Sequence, residues 1–147
     1  MTGEEQTQWL MDRAEITETI FRWLEFVDTK QFAKQLPLVT DDCVIEFPFG
    51  TFTIAQLHAT ADPETGGWGG FTVTHHMLTN LQISIDGASA QAKANVQAQH
   101  VRNSADPGTW WTVGGRYTNQ LCRTAEGWKL RLHQARVRLG AGSGGPS

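Results

Sequence analysis

The stretch TVTHHMLTNLQISIDG, residues 72 to 87, sets His75 and His76 side by side at the head of a run that otherwise alternates like a β-strand. Imidazole titrates near neutral pH, so an inward-facing histidine can take or give a proton. Neighbours on a strand face opposite sides, so at most one of the two easily belongs to a site. Strict alternation groups His75 with Met77, Leu81, Ile83 and Ile85, and leaves His76 outside with Asn80, Gln82 and Ser84. A bulge near Thr79–Asn80 would reverse that phase and turn His76 inward. Periodicity alone leaves both open.

Further polar groups fall on faces that alternation marks as inner. In SAQAKANVQAQHVR, the positions Ala90, Ala92, Ala94, Val96, Ala98 and His100 share one face against a polar set on the other. His100 therefore sits on an apolar face of small residues, which leaves volume that a packed core would fill with Leu or Ile. In TWWTVGGRYTNQLCRT the inner set is Trp111, Val113, Tyr117, Asn119 and Leu121. In WKLRLHQARVRL, Trp128, Leu130 and Leu132 face in, and the pattern then flips to Val137 and Leu139. That flip predicts a bulge near His133 or Gln134 and leaves the direction of His133 open. His58 is expected in solvent.

These residues need elements to hold them. Residues 12–28 place Ile16, Ile20, Trp23, Leu24 and Val27 on one helical stripe, with Asp12 as N-cap and Glu15 as its capping-box partner. A short helix is expected from Thr29 to Pro37, and Asp28 could cap it. CVIEFPFG follows as a strand ending at Pro48, then a helical piece TIAQLHATA and the Gly-rich loop DPETGGWGGF. Four long β runs come next, joined by short Gly-bearing turns of the kind that link antiparallel strands. Helices first and a strand meander afterwards predict an α+β domain: N-terminal helices on a strongly curved antiparallel sheet, with a pocket between them. The expected organisation is an arm over residues 1–11, one domain over 12–139, and a flexible tail over 140–147.

At 147 residues and net charge −3, with a pI near 5.9, the chain offers no basic surface for nucleic acid. No run approaches the ~20 apolar residues of a membrane span. The acidic start has no secretory pattern, and Cys43 and Cys122 form no C-x-x-C, so two reduced thiols in a cytoplasmic protein are expected. Six tryptophans are many for this length. Some must be core, and others would suit a pocket for a flat apolar ligand.

In RWLEFVDTKQF, DDCVIEFPFG, HHMLTNLQISIDGASA and GGRYTNQLCRTAEGWKL, taken in this order, the chain resembles the SnoaL-like branch of the nuclear-transport-factor-like α+β cone superfamily. This branch includes polyketide cyclases, scytalone dehydratase, bile-acid dehydratases and relatives of ketosteroid isomerase. The likeness covers roughly residues 12 to 139. It implies catalytic roles for Asp28, His76 and His100, with His76 taken over His75. It also implies a pocket position at Tyr117, and Trp23, Phe47, Asn80, Trp111 and Asn119 are expected to line the same substrate pocket. Where dehydratases of this group carry a tyrosine before the aspartate, this chain has Trp23, and indole is no proton carrier.

The resemblance implies a cofactor-independent enzyme and no metal. Two imidazoles and a carboxylate could formally bind one, but nothing in their spacing demands it. The expected activity is cyclisation or isomerisation of a hydrophobic polyketide or polycyclic carbonyl compound in natural-product biosynthesis. Dehydration is the alternative, and a small-ligand-binding module without turnover is a third possibility. A homodimer through the outer sheet face is expected, where Gln82, Ser84, Gln97 and Gln99 would suit a wet interface.

Overall fold

The computed structural model describes residues 1–61 and 68–142. The long helix α1 spans Gly3–Asp28. It starts at Thr2, whose hydroxyl accepts from the Glu5 backbone amide while the Glu5 carboxylate reaches back to the Thr2 amide, a complete capping box. The expected cap at Asp12 is therefore corrected. Asp12 lies in mid-helix, buried, and accepts two hydrogen bonds of 2.7 Å from the Arg123 guanidinium and one of 3.1 Å from the Trp128 indole. Those bonds hold its carboxyl down at about 2 against the opposing effect of burial. The predicted stripe is otherwise the one that packs, with Ile16, Ile20, Trp23 and Leu24 all buried.

At its C-terminal end the chain breaks out through Lys30, a non-glycine residue at φ 58°. A 3-10 segment, Phe32–Leu38, takes the place of the expected helix from Thr29, and it begins without a side-chain cap. Asp28 is thus free of any capping duty. Next come β1 (Val39–Phe47), β2 (Gly50–Thr53) and the short helix α2 (Ile54–Ala59). The strands β3 (Val73–Asp86), β4 (Ser89–Val101), β5 (Trp110–Thr124) and β6 (Gly127–Ala141) complete the chain. The first part of the expected tail, Gly140 and Ala141, pairs with β5. Its last five residues, like most of the Gly-rich loop, lie outside the described residues.

The fold is α+β, as the element order implies. One six-stranded sheet has the order β2-β1-β6-β5-β4-β3, and α1 packs on it against β3 and β6. The meander β3 to β6 is antiparallel throughout, while β1 joins the other edge of β6 in parallel and makes the sheet mixed. The inner face of β4 is the predicted one, with Ala90, Ala92, Ala94, Val96, Ala98 and His100 all buried.

Three register shifts bend the long strands. The first, between Thr79 and Gln82 on β3, contains Asn80 at φ 55°. The second, between Gln120 and Leu121 on β5, faces Leu130 and Leu132, so the extra residue of β6 is Arg131. The third lies at Gly114–Gly115, where a Cβ on Gly115 would fall 2.1 Å from the Arg136 carbonyl oxygen, so only glycine fits this approach.

Candidate active site

The bulge at Asn80 decides which histidine faces the interior. Before it, Thr74, His76 and Leu78 take the inner phase, with His76 opposite Ala98 and Leu78 opposite Val96; after it, Ile83 and Ile85 sit opposite Ala92 and Ala90. His75 is exposed, as are Val73 and Met77 beside it. The grouping of His75 with Ile83 and Ile85 is thereby corrected: one extra residue shifts the phase between them. Asn80 itself is exposed on this bulge and lines no part of the interior. Its expected place in the pocket is corrected too: its backbone takes the left-handed region, which Asn tolerates better than most residues, and the side chain is exposed.

Asp28 meets this strand from the end of α1. One carboxylate oxygen, Oδ1, accepts from His76 Nδ1 at 2.6 Å and from the Thr74 hydroxyl at 2.9 Å. The other, Oδ2, accepts from the His76 backbone amide at 2.9 Å. Burial alone would raise the Asp28 carboxyl. The hydrogen bonds and charge of His76, helped by Thr74, outweigh it and hold the group below its ordinary value. In the neutral form of His76 the carboxylate holds the proton on Nδ1, and Nε2 then carries the lone pair. The His76 side chain is only 5% exposed against 22% for that of Asp28.

The interior is a hollow of two lobes. The first, with an empty volume of about 580 Å³, is lined by Trp23, Phe47, His76, Tyr117 and His133 among others. The second, about 410 Å³, is reached by His100, Trp111, Val113 and Gly115. Phe47, Trp68 and Tyr117 border both lobes. The linings are mainly apolar side chains, the character of a site for a small apolar ligand. The rings of His76 and His100 stand edge to face with centroids 5.5 Å apart, so the two imidazoles adjoin from different lobes. His100 Nδ1 lies 3.3 Å from the Trp111 carbonyl oxygen, which places its proton there. Burial, aided by the neighbouring His76, pulls His100 down to about 4, so it is neutral at ordinary pH.

Tyr117 is buried with its ring on the wall between the lobes, and its phenol is pushed up by burial and by the Asp28 charge. It therefore stays a protonated donor. Asn119 is buried behind this wall and does not line the cavity. It instead accepts from His133 Nδ1 at 2.7 Å. His133 faces the first lobe because the β6 bulge falls at Arg131, before it, so the expected bulge position and the inward Leu132 are corrected. Burial takes His133 down to about 3.

Two further wall residues escaped sequence reasoning. Gln35 is fully buried in the 3-10 segment, donates to the Trp23 carbonyl at 2.9 Å and meets His58 Nε2 at 3.0 Å. His58 is thus half-buried rather than solvated. Trp68, inside the Gly-rich stretch, packs at a tilt against Phe47, Phe71 and His100. Its aromatic ring between glycines was the available signal. At the rim, Lys30 donates from Nζ to the Phe71 carbonyl, and partial burial lowers its pKa while Asp28 raises it. Among the described residues, no group of three His, Cys, Asp or Glu side chains is placed to hold a metal ion. None of the described helices is long and apolar enough to cross a membrane.

Residues 8–133 match the family model described as SnoaL-like domain. A comparison with curated proteins finds no match. Among solved structures, the Kfla4162 protein from Kribbella flavida is 28% identical, with a TM-score of 0.77 over 89% of this chain and 93% of that one. A protein from Novosphingobium aromaticivorans named as a candidate scytalone dehydratase is 18% identical, with a TM-score of 0.80 over 94% and 91%. The hexachlorocyclohexane dehydrochlorinase LinA-type3 from Novosphingobium barchaimii is 17% identical, with a TM-score of 0.80 over 96% of each chain. At these last two identities the likeness is one of fold.

Proposed function

Because the chain belongs to the SnoaL-like domain family, we propose that it is an enzyme in which His76, held by Asp28, moves a proton on a hydrophobic carbonyl compound. The observation that carries this reading is the 2.6 Å bond from His76 Nδ1 to Asp28, which leaves Nε2 as the basic atom in an apolar lobe. In the first step a C–H beside the substrate carbonyl gives its proton to Nε2. The electron pair of that bond becomes an enolate, and its oxygen takes a hydrogen bond from Tyr117. The imidazolium so formed is stabilised by the Asp28 carboxylate. Return of the proton to another atom gives an isomer; alternatively the enolate carbon attacks a second carbonyl, closing a ring, and the alkoxide so formed takes the proton back from Nε2. Both outcomes need no net oxidation. His100, neutral and edge-on to His76, orients the substrate from the second lobe.

A second reading begins with the same proton abstraction and ends in loss of a leaving group. The fold neighbours named for a dehydratase and a dehydrochlorinase favour it. Trp23, which lines the same lobe as His76, argues for the first reading, since it offers no phenol to protonate a departing hydroxyl. We place the enzyme in natural-product metabolism in the cytoplasm, as a homodimer through the outer sheet face. Exposed Val73 and Met77 add apolar surface there.

The test is exchange of the acidic C–H of β-tetralone in deuterium oxide, followed by NMR. Protein-dependent deuteration supports proton abstraction from carbon. Ligand binding without any deuteration would leave a binding module. Conversion of a β-hydroxyketone to its enone with release of water would favour elimination.

A further inference from the structure

His133 is a buried titratable group on the cavity wall that the proton transfer above does not use. Its Nδ1 lies 2.7 Å from the side-chain oxygen of Asn119, directly across the β5–β6 pair. An amide oxygen only accepts, so the imidazole carries its proton on Nδ1 and presents a lone pair at Nε2. The ring lines the first lobe, edge-on to Tyr117 with centroids 4.6 Å apart, and near Trp23 and Phe47 at 5.8 and 6.2 Å. No described residue donates a hydrogen bond to Nε2. No buried side-chain nitrogen or oxygen among the described residues lacks a partner, so Nε2 opens onto the lobe, where an acceptor gains free energy when a ligand or water supplies a donor. Burial keeps the imidazole neutral, so it cannot serve as a cation for an anionic group, and its lone pair repels a carbonyl oxygen.

We infer that His133 Nε2 is the recognition point for a hydroxyl group carried on the ring system of the ligand, away from the carbon that reacts at His76. The cavity then has two polar ends with different chemistry: a base at His76 and a neutral acceptor at His133, with Tyr117 between them. A hydroxylated ring compound satisfies the acceptor, whereas a fully apolar ring leaves it unpaired. Asn119 is the positioning residue that holds the acceptor tautomer. The assignment of the other end to chemistry rests on the proposed function, but the hydroxyl preference is a property of binding alone.

The experiment measures affinity of the full chain for β-naphthol, naphthalene and β-naphthyl methyl ether by quenching of tryptophan fluorescence. The wild type is expected to bind β-naphthol about tenfold or more tightly than either analogue. His133→Phe should remove that gap, and Asp28→Asn should keep it. Nitrogen-15 NMR of the histidine rings supplies a readout in the unmodified protein: the His133 proton on Nδ1, with Nε2 shifting when β-naphthol binds but not with the ether. Equal affinities in the wild type, absence of β-naphthol binding, a gap that survives His133→Phe, or a proton on Nε2 would each overturn the inference. Loss of deuterium exchange with the hydroxyl preference intact would instead count against the catalytic reading alone.

Discussion

Asp28 and His76 are joined by two hydrogen bonds at once, one from the ring Nδ1 at 2.6 Å and one from the backbone amide at 2.9 Å. The second bond fixes the carboxylate to the strand itself, so the pair moves as one body with β3. A positioned base of this kind needs little reorganisation when its proton arrives.

In the proposed reaction Tyr117 supplies the hydrogen-bond donor to the developing enolate. Tyr117→Phe keeps the ring packing and removes only the hydroxyl. Loss of one such donor is expected to lower kcat about 10- to 10³-fold with a smaller change in KM. Steady-state kinetics of the exchange reaction check this, and an unchanged kcat would remove Tyr117 from the mechanism.

Stability should fall on mild acidification. His133 and His100 are depressed to about 3 and about 4 in the fold, whereas in the unfolded chain they take up protons near pH 6.5. Between these values the unfolded state binds more protons, so the free energy of unfolding rises with pH and is lost as pH drops. The loss is about 1 kcal/mol per histidine per pH unit, starting below about pH 6.5 and tapering through the two folded values. Asp28 and Asp12, both lowered, add to the loss only below the ordinary carboxylate range. Urea unfolding at a series of pH values measures this. A midpoint that stays constant from pH 6.5 to 4.5 would contradict it.

Asn80 separates a structural role from a binding role. If its part is the left-handed bulge, Asn80→Gly leaves stability and activity nearly unchanged. Asn80→Val instead costs about 1–2 kcal/mol, because a β-branched residue resists that backbone. Thermal unfolding and the exchange assay together read both effects. Loss of substrate affinity in Asn80→Gly would return Asn80 to the pocket.

Arg123 anchors α1 on the sheet through Asp12. Arg123→Ala leaves a buried carboxylate with only Trp128 and Gln8 as partners. A loss of about 1–3 kcal/mol is expected, with the exchange rate of the folded fraction unchanged. Chemical denaturation measures it, and a loss of activity at constant folded fraction would mean that α1 placement reaches Asp28.

Much of this organisation was legible in the residues. The alanine face of β4 and the inner positions of β5 follow from a period of two, and the helical stripe from a period of 3.6. The positions that alternation left open share one cause. His75 against His76, and the direction of His133, depend on single inserted residues at Asn80 and Arg131, which invert a strand's phase without altering its composition. Asp12 was misassigned because its spacing to Glu15 fits a capping box, while the burial that explains it comes from Arg123, distant in sequence. Gln35 and Trp68 reach the cavity from irregular segments, where no period exists to place them.

The central claim is that the Asp28–His76 pair takes a proton from carbon, and the most direct measurement is β-tetralone deuteration by the wild type, Asp28→Asn and His76→Ala. Both variants are expected to lose about 10²- to 10⁴-fold in exchange rate while binding the ketone with near-normal affinity. Exchange at the wild-type rate in either variant, with the fold intact, would contradict the account.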